Sequence, residues 1–291
     1  MRPLGNAQQG LWYGYLLNED RAMFNTAECI AFAGKVQASL LIAAVQQAVG
    51  ECEALSGLYM IDGETVSFDP CELPLTVALV EVPAFADAET WVRDWAMADI
   101  RQPFDLEREL ACRFVLLRAA GQDFLYSCVH HIALDGYGTN LLYQRIAELY
   151  SAAVRGELAP PCSFGRYADV LAEDAERDAQ NKTAAARGYW LETFSRLPPP
   201  VSFSDRSAPI SATFVRHGAR FSPSLWQALS TTADTHGIGW ADLLLAGLSA
   251  QLRQVSGSDA QVFGLMVMNR IGSAAFNVPC MQMNIAPLYL Q

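Results

Sequence analysis

The sequence predicts a mixed α/β (α+β) fold in two lobes. Helical and strand patterns alternate along its 291 residues, and no internal repeat is visible. A chain of this length allows about two domains. A stretch rich in proline and charge at residues 159–187 separates two regular regions, as a domain boundary does. We therefore expect a first lobe at residues 1–170, followed at residues 171–291 by a linker and a small second lobe that is incomplete where this sequence ends.

Spacing and capping residues place the elements of the first lobe. Apolar residues recur every three or four positions after Ser39, which predicts a helix capped by that hydroxyl. Asp87 is expected to cap another helix, and Gly156 to end a third. The remaining predictions are a helix at residues 6–17 and strands at residues 27–32, 58–61, 65–68, 75–82, 112–117 and 124–129.

The second half begins with a polar helix at residues 169–181, whose composition favours a connector over a core element. Ser222 and Pro223 are typical of a helix start. The stretch at residues 261–268 is almost entirely apolar, which predicts a buried strand. Further predicted elements are strands at residues 213–221 and 285–290 and a helix at residues 240–255.

Composition and charge exclude several classes of function. With a net charge of -11 and only 20 lysines and arginines, scattered singly, the chain is not expected to bind nucleic acid. No apolar run reaches the ~18 residues of a membrane span, and the N-terminus has no signal core. The seven cysteines lack the paired spacing of metal or redox sites. We expect a cytoplasmic protein with reduced thiols, of which Cys112 and Cys128 are buried.

The most informative segment is His130-His131-Ile132-Ala133-Leu134-Asp135-Gly136. A strand precedes it and a helix follows it, so the two imidazoles lie where a strand breaks into a loop, a common place for catalysis. Successive side chains of an extended backbone point to opposite faces. Only one histidine is therefore expected to face a cavity while the other packs inside. The adjacent histidines also lack the i, i+4 spacing of a helical zinc site, so no metal is predicted.

This segment resembles the signature of the condensation domains of nonribosomal peptide synthetases, within the chloramphenicol acetyltransferase-like acyltransferases. Further segments that are similar to the family's motifs follow in the right order: Ala7-Gln8-Gln9-Gly10-Leu11-Trp12, Pro103-Phe104-Asp105-Leu106, Gly188-Tyr189-Trp190, Met268-Asn269-Arg270 and Met283-Asn284-Ile285-Ala286-Pro287-Leu288. The resemblance covers essentially the whole chain. Family members continue past the position that matches Gln291, which implies that the second lobe is cut short and that this piece alone is weakly active and self-associates.

The resemblance implies a chloramphenicol acetyltransferase-like fold with a tunnel between its lobes. A donor acyl thioester and an acceptor aminoacyl thioester enter it on the phosphopantetheine arms of two carrier proteins, with no cofactor bound directly, and an adenylation domain lies nearby in the assembly line. The acceptor amine attacks the donor thioester to form an amide. Subtype features lean towards siderophore-type and starter domains, which transfer an aryl or fatty acyl group.

The resemblance also assigns roles to residues. His131 is expected to take the proton of the attacking amine, since imidazole titrates near neutral pH, or to act mainly in positioning. Gly136 is expected to let the thioester approach the backbone, unless it is an ordinary turn glycine. His130 is expected to be structural, and Asp135 to pair with Arg270 as a brace between the lobes. Tyr137 and Asn284 are candidates for the tunnel wall.

Other functions stay open at this stage. A stand-alone acyltransferase of the same superfamily would use coenzyme A thioesters and need no carrier proteins. A docking module would recruit carriers or tailoring enzymes without chemistry of its own. Epimerisation domains share a similar motif. His217 and His236 are expected to be structural, and the chain has neither a phosphate-binding glycine loop nor the Gly-x-Ser-x-Gly elbow of serine hydrolases.

Overall fold

The computed structural model describes residues 1–84, 87–197, 199, 201–204 and 217–290. It divides into two units. The first unit contains Met1–Thr183 and Met268–Asn284. The second unit contains Ala184–Val267 and Ile285–Gln291. The segment around Arg270 thus belongs to the first unit. The lobe boundary at residue 170 stays a prediction.

The first unit carries two sheets and most of the helices. Its strands are β1 (Arg2–Pro3), β2 (Asn25–Ala31), β3 (Gly57–Asp62), β4 (Thr65–Pro70), β5 (Val77–Glu81), β6 (Cys112–Arg118) and β7 (Asp123–His130). Its helices are α1 (Asn6–Leu16), α2 (Ala38–Glu51), α3 (Ala88–Asp99), α4 (Gly136–Arg155) and α5 (Tyr167–Ala179).

The larger sheet positions the histidine motif. Its strand order is β2-β7-β6-β5, with β7 antiparallel to both neighbours and β5 parallel to β6. Every residue of β7 is buried because helices cover both faces. The Trp95 ring of α3 lies 5.1 Å from the Tyr126 ring on one face. On the other face, Tyr143 of α4 forms a hydrogen bond with Ser127. A smaller antiparallel sheet has the order β1-β4-β3.

The predicted caps were correct at three helix ends and wrong at one. Asp87 accepts a hydrogen bond from the Thr90 N–H at 2.9 Å, and Gly156 ends α4 with φ of 69°. Ser222 likewise caps a helix of the second unit. Ser39, however, lies inside α2, which begins one residue earlier with Gln37 as its N-cap. A tertiary contact accompanies this start, because the Gln37 N–H donates to the Tyr150 hydroxyl of α4 at 3.0 Å.

Helix α5 corrects the prediction of a polar connector. Tyr167 and Val170 are buried in the hydrophobic core of the first unit. Glu173, on the same helix, accepts hydrogen bonds from the Ser273 hydroxyl and the Ala274 N–H at 2.6 and 2.7 Å. The helix is charged overall, but apolar residues that recur at every third or fourth position form one buried face.

The second unit contains the rest of α6 (Lys182–Arg196), which begins in the first unit, with α7 (Pro223–Thr235), α8 (Trp240–Ser256), β8 (Gln261–Val267) and β9 (Asn284–Leu290). The strand at residues 261–268 was predicted to be buried, and this is wrong. The Met266 side chain is 69% exposed, because β8 pairs only with β9 among the described residues. Of the strand predicted at residues 213–221, residues 213–216 lie outside the described part and residues 217–221 form no strand.

Two further observations concern the whole described chain. Cys112 and Cys128 are buried free thiols, as predicted, and burial raises the pKa of the Cys128 thiol to about 11. Within the ranges that the structure describes, no helix is both long and apolar enough to cross a membrane.

Candidate active site

The histidine motif forms the loop between β7 and α4. His130 is the last residue of β7, and Asp135 is the N-cap of α4. Ile132, Ala133 and Leu134, the apolar residues between them, are fully buried. The loop is therefore anchored by its own apolar residues, and its polar residues are held in fixed positions.

The two histidines differ in exposure. His130 is fully buried, while the His131 side chain is partly exposed. The His130 ring lies among aromatic residues, at centroid distances of 5.5 Å from Tyr15 and 6.3 Å from both Phe24 and Phe104. Burial, with a smaller contribution from His131, lowers the pKa of His130 to about 3. His130 is therefore neutral near pH 7.

Backbone contacts fix both histidines. The His130 Nδ1 accepts a hydrogen bond from the Ile132 N–H at 3.2 Å, so its proton is on Nε2. The His131 N–H donates to the Phe24 carbonyl at 2.8 Å. Among the described residues, the buried Nδ1 of His131 has no hydrogen-bond partner. The position of the His131 backbone is thus fixed before any substrate is bound.

Asp135 and Arg270 form a buried ion pair in the site. The Arg270 Nη2 donates to the two carboxylate oxygens of Asp135 at 2.9 and 3.0 Å, and both side chains are nearly inaccessible to solvent. The sequence placed this pair between two lobes, but both residues lie in the first unit. The guanidinium also donates to carbonyl groups of its own segment, at Ala275, Val278 and Cys280.

The Asp135 carboxylate also organises the chain after Cys280. It accepts hydrogen bonds from the backbone N–H groups of Gly138, Gln282 and Met283 at 2.7, 3.0 and 2.9 Å. Two elements far apart in sequence, the first turn of α4 and residues 280–283, are thereby joined through one carboxylate. These backbone partners could not be predicted from the sequence, since main-chain donors leave no residue pattern.

Gly136 and Gly138 differ in what surrounds them. Apart from its two chain neighbours and the backbone of its own helix, no described atom lies within 4 Å of the position that a Cβ would take at Gly136, and its φ is not in the left-handed region. At Gly138, a Cβ would lie 2.8 Å from the Cys280 carbonyl oxygen and 3.0 Å from its nitrogen. Packing therefore requires glycine at Gly138, which the sequence analysis did not single out, and does not require it at Gly136.

The two tunnel candidates lie next to this cluster. The Arg270 guanidinium carbon lies 4.8 Å from the centre of the Tyr137 ring, and the Phe276 ring lies 6.0 Å from it on centroids. Asn284 is exposed and directly follows Met283, one of the donors to Asp135. By contrast, His217 and His236 are exposed residues of the second unit. In the described part of the chain, no three His, Cys, Asp or Glu side chains are grouped as metal ligands would be.

Comparisons with known proteins agree with this geometry. The family model described as "Condensation domain" matches residues 1–291, so the chain belongs to the condensation-domain family. The dimodular nonribosomal peptide synthase of Bacillus subtilis (strain 168) is 34% identical over 291 residues, which are 99% of this chain and 12% of the relative. The isonitrile lipopeptide synthase of Streptomyces coeruleorubidus is 33% identical over 290 residues, 99% of this chain and 20% of the relative. The chain thus spans a fifth or less of these two relatives.

Solved condensation domains share the fold. The first condensation domain of the CDA synthetase matches with a TM-score of 0.89 and 25% identity, over 99% of this chain and 69% of that one. A starter condensation domain of rhizomide synthetase, in a mutant form in complex with C8-CoA, matches with a TM-score of 0.86 and 27% identity, over 100% and 66%. The predicted family and its chloramphenicol acetyltransferase-like fold are confirmed.

Proposed function

We propose that this chain forms amide bonds as the condensation domain of a nonribosomal peptide synthetase, with His131 as the residue that handles the proton of the attacking amine. The observation that carries the proposal is the contrast within the histidine pair. His130 is buried in the core, whereas His131 is partly exposed. The backbone N–H of His131 donates to the Phe24 carbonyl. One imidazole is thereby available for chemistry and the other supports it.

The proposed reaction balances without a cofactor. The amine of the acceptor thioester attacks the carbonyl carbon of the donor thioester, and the His131 imidazole takes the proton that the nitrogen loses. The tetrahedral intermediate then collapses, the C–S bond breaks, and the donor's phosphopantetheine sulfur leaves as a thiolate that takes the proton back from the His131 imidazolium. Such proton transfer contributes typically ~100- to 10,000-fold. Holding two tethered substrates together contributes as well, at up to about 7–11 kcal/mol of the barrier.

The other site residues are assigned supporting roles. Gly136 provides open space where a side chain would meet the thioester, and this agrees with the absence of described neighbours within 4 Å of an added Cβ, apart from adjacent residues and the helix backbone. Asp135 and Arg270 hold the loop in place, and neither is assigned to the chemistry. Tyr137 and Asn284 are placed along the wall of the substrate tunnel.

The donor is proposed to be an aryl or fatty acyl group. Two similar proteins support a fatty acyl donor: one is an isonitrile lipopeptide synthase, and the other is a starter condensation domain of rhizomide synthetase in complex with C8-CoA. The partners are then a donor carrier protein, an acceptor carrier protein and an adjacent adenylation domain. Phosphopantetheine arms deliver both substrates, and the reaction takes place in the cytoplasm.

Replacing His131 tests the proposal. In the full natural polypeptide that contains this sequence, supplied with loaded carriers, we expect His131→Ala to lower amide formation by about 100- to 10,000-fold while the fold is kept. Product is measured by mass spectrometry, and His217→Ala, at an exposed histidine of the second unit, is the matched control. Unchanged turnover in His131→Ala would support a docking module. Turnover of free coenzyme A thioesters without carriers would support a stand-alone acyltransferase, and exchange of the α-hydrogen without amide formation would support epimerisation.

A further inference from the structure

A buried amide in the first turn of α1 contacts the histidine loop. The Gln8 Nε2 donates to the carbonyl oxygen of Ile132, the residue after His131, at 2.7 Å. Gln8 is 2% exposed and Ile132 is fully buried. The contact therefore joins two segments 124 residues apart in the chain within the core.

The oxygen of the same Gln8 amide also has hydrogen-bond partners. The Gln8 Oε1 accepts hydrogen bonds from the Gly5 N–H at 3.1 Å and from the Tyr167 hydroxyl. The Gly5 N–H lies 3.2 Å from the Tyr167 oxygen as well. Burial raises the pKa of Tyr167, so its hydroxyl keeps the proton that it donates.

These partners fix which way the amide points. A carbonyl oxygen only accepts and a backbone N–H only donates, so the nitrogen must face Ile132 and the oxygen must face Gly5. No other uncharged side chain of this length offers a donor and an acceptor in that arrangement. A glutamate would instead place a carboxylate oxygen against the Ile132 carbonyl, and two buried acceptors in contact are costly.

We infer that Gln8 is a positioning residue of the active site, which holds the loop after His131 so that the imidazole meets the attacking amine. The Phe24 carbonyl accepts from the His131 N–H at 2.8 Å, and the Gln8 amide donates to the carbonyl of the next residue, Ile132. The backbone on both sides of His131 is thus held by segments outside the loop. The inference rests on the proposed function, because it takes His131 as the residue that acts.

The test compares the same substitution at neighbouring positions. In the full natural polypeptide, we expect Gln8→Glu to lower kcat for amide formation by about 10- to 100-fold with KM little changed, since a shift of about 1 Å in a reacting group costs that much. Gln9→Glu is the matched control, because Gln9 is exposed and its side-chain amide donates to the Leu4 carbonyl and not to the histidine loop. Equal activity of the two variants would overturn the inference.

A pH profile separates positioning from general damage to the fold. Among the described residues, the titratable groups near this contact include Tyr167, which donates to the Gln8 amide, and Asp174, which accepts from the Asn6 N–H. Arg2 and Cys280 lie near Tyr167, and His130 of the loop lies beside Tyr15 of α1. In this buried place the new carboxyl of Gln8→Glu should bind a proton more readily than a free one. Its protonated form again donates to Ile132, so its activity relative to wild type should rise as the pH falls from 8 to about 6. A pH-independent ratio would contradict the inference.

Two further variants keep the inference testable if Gln8→Glu does not fold. Gln8→Met keeps the length without a donor or a charge, and it should lose kcat at every pH. Tyr167→Phe leaves the bond to Ile132 in place and should lose less. Equal loss in Tyr167→Phe and Gln8→Met would show that packing of α5, and not the contact with Ile132, is what matters. Full activity of both His131→Ala and the Gln8 variants would contradict the proposed function. Full activity of the Gln8 variants, with His131→Ala impaired, would contradict the positioning role alone.

Discussion

The Asp135 carboxylate and the Arg270 guanidinium meet through a single nitrogen, Nη2, which lies 2.9 and 3.0 Å from the two carboxylate oxygens. The same nitrogen donates to the Cys280 carbonyl at 2.7 Å. Because Asp135 also caps α4, the ion pair links the start of the active-site helix to the segment that leads to Asn284. Removing either partner alone leaves an unpaired charge in the core, so it destabilises the fold more than removing both.

A double-mutant cycle measures this coupling. We expect Asp135→Ala and Arg270→Ala each to lower the free energy of unfolding by about 3–5 kcal/mol, because each strands the opposite charge in the core. The double variant should lose less than the sum of the two, by chemical denaturation. The exposed pair Arg166 and Asp169 in the same unit is the control, and its removal should change little. Strictly additive losses at Asp135 and Arg270 would contradict the coupling.

Two glycines in the first turn of α4, Gly136 and Gly138, should respond differently to the same added methyl group. At Gly138 the methyl group meets the backbone of Cys280, so Gly138→Ala should lower the free energy of unfolding by about 1–3 kcal/mol. At Gly136 nothing described lies within 4 Å, so Gly136→Ala should keep stability and lower amide formation. Thermal unfolding and product assays on both variants check this. Gly10→Ala, at an exposed helical position of α1 without neighbours, is the control for the effect of alanine on a helix.

The opposite result at Gly136 would change its assignment. If Gly136→Ala forms amide at the wild-type rate, the open space at this position is not used by the thioester. Gly136 would then be an ordinary first residue of α4, with no part in the reaction.

The sequence predicted the elements of the site better than the contacts between them. The strand before His131 and the end of the helix after it follow from local signals, an apolar run and a helix stop at Gly156, whereas the cap that Asp135 forms at the start of this helix was not predicted. The partners of the Asp135 carboxylate at residues 280–283 are backbone N–H groups, which any residue except proline supplies. Only the pairing with Arg270 had been expected, and that came from family resemblance.

Burial was harder to predict than element type. The apolar residues 261–268 form a strand, yet Met266 is exposed, because burial depends on what covers a strand and not on the strand itself. The charged helix α5 shows the reverse, since Tyr167 and Val170 reach the core from a polar sequence. Gln8 lay within a quoted motif, but its contact with the Ile132 carbonyl depends on a chain reversal that local patterns do not encode.

The depressed pKa of His130 predicts a pH-dependent loss of stability. Burial, aided by the nearby His131, lowers this pKa from 6.5 to about 3 in the folded protein. Below pH 6.5 the unfolded chain binds a proton at this residue and the folded chain does not, so stability falls as the pH falls from about 6.5 towards 3. In that window, the free energy of unfolding falls by up to about 1.4 kcal/mol for each unit by which the pH is lowered. Above the window, His130 has no such effect on stability.

Removing the imidazole should flatten this dependence. In His130→Asn the amide oxygen can still accept the Ile132 N–H, but no group titrates at this position. We expect the variant to be less stable than wild type at pH 7, because the smaller side chain leaves a cavity, and the difference to shrink as the pH falls to 4.5. Urea denaturation across this range measures it, with His217→Asn as the control at an exposed histidine. Parallel stability curves for wild type and His130→Asn would show that His130 binds its proton equally well in the folded and unfolded states.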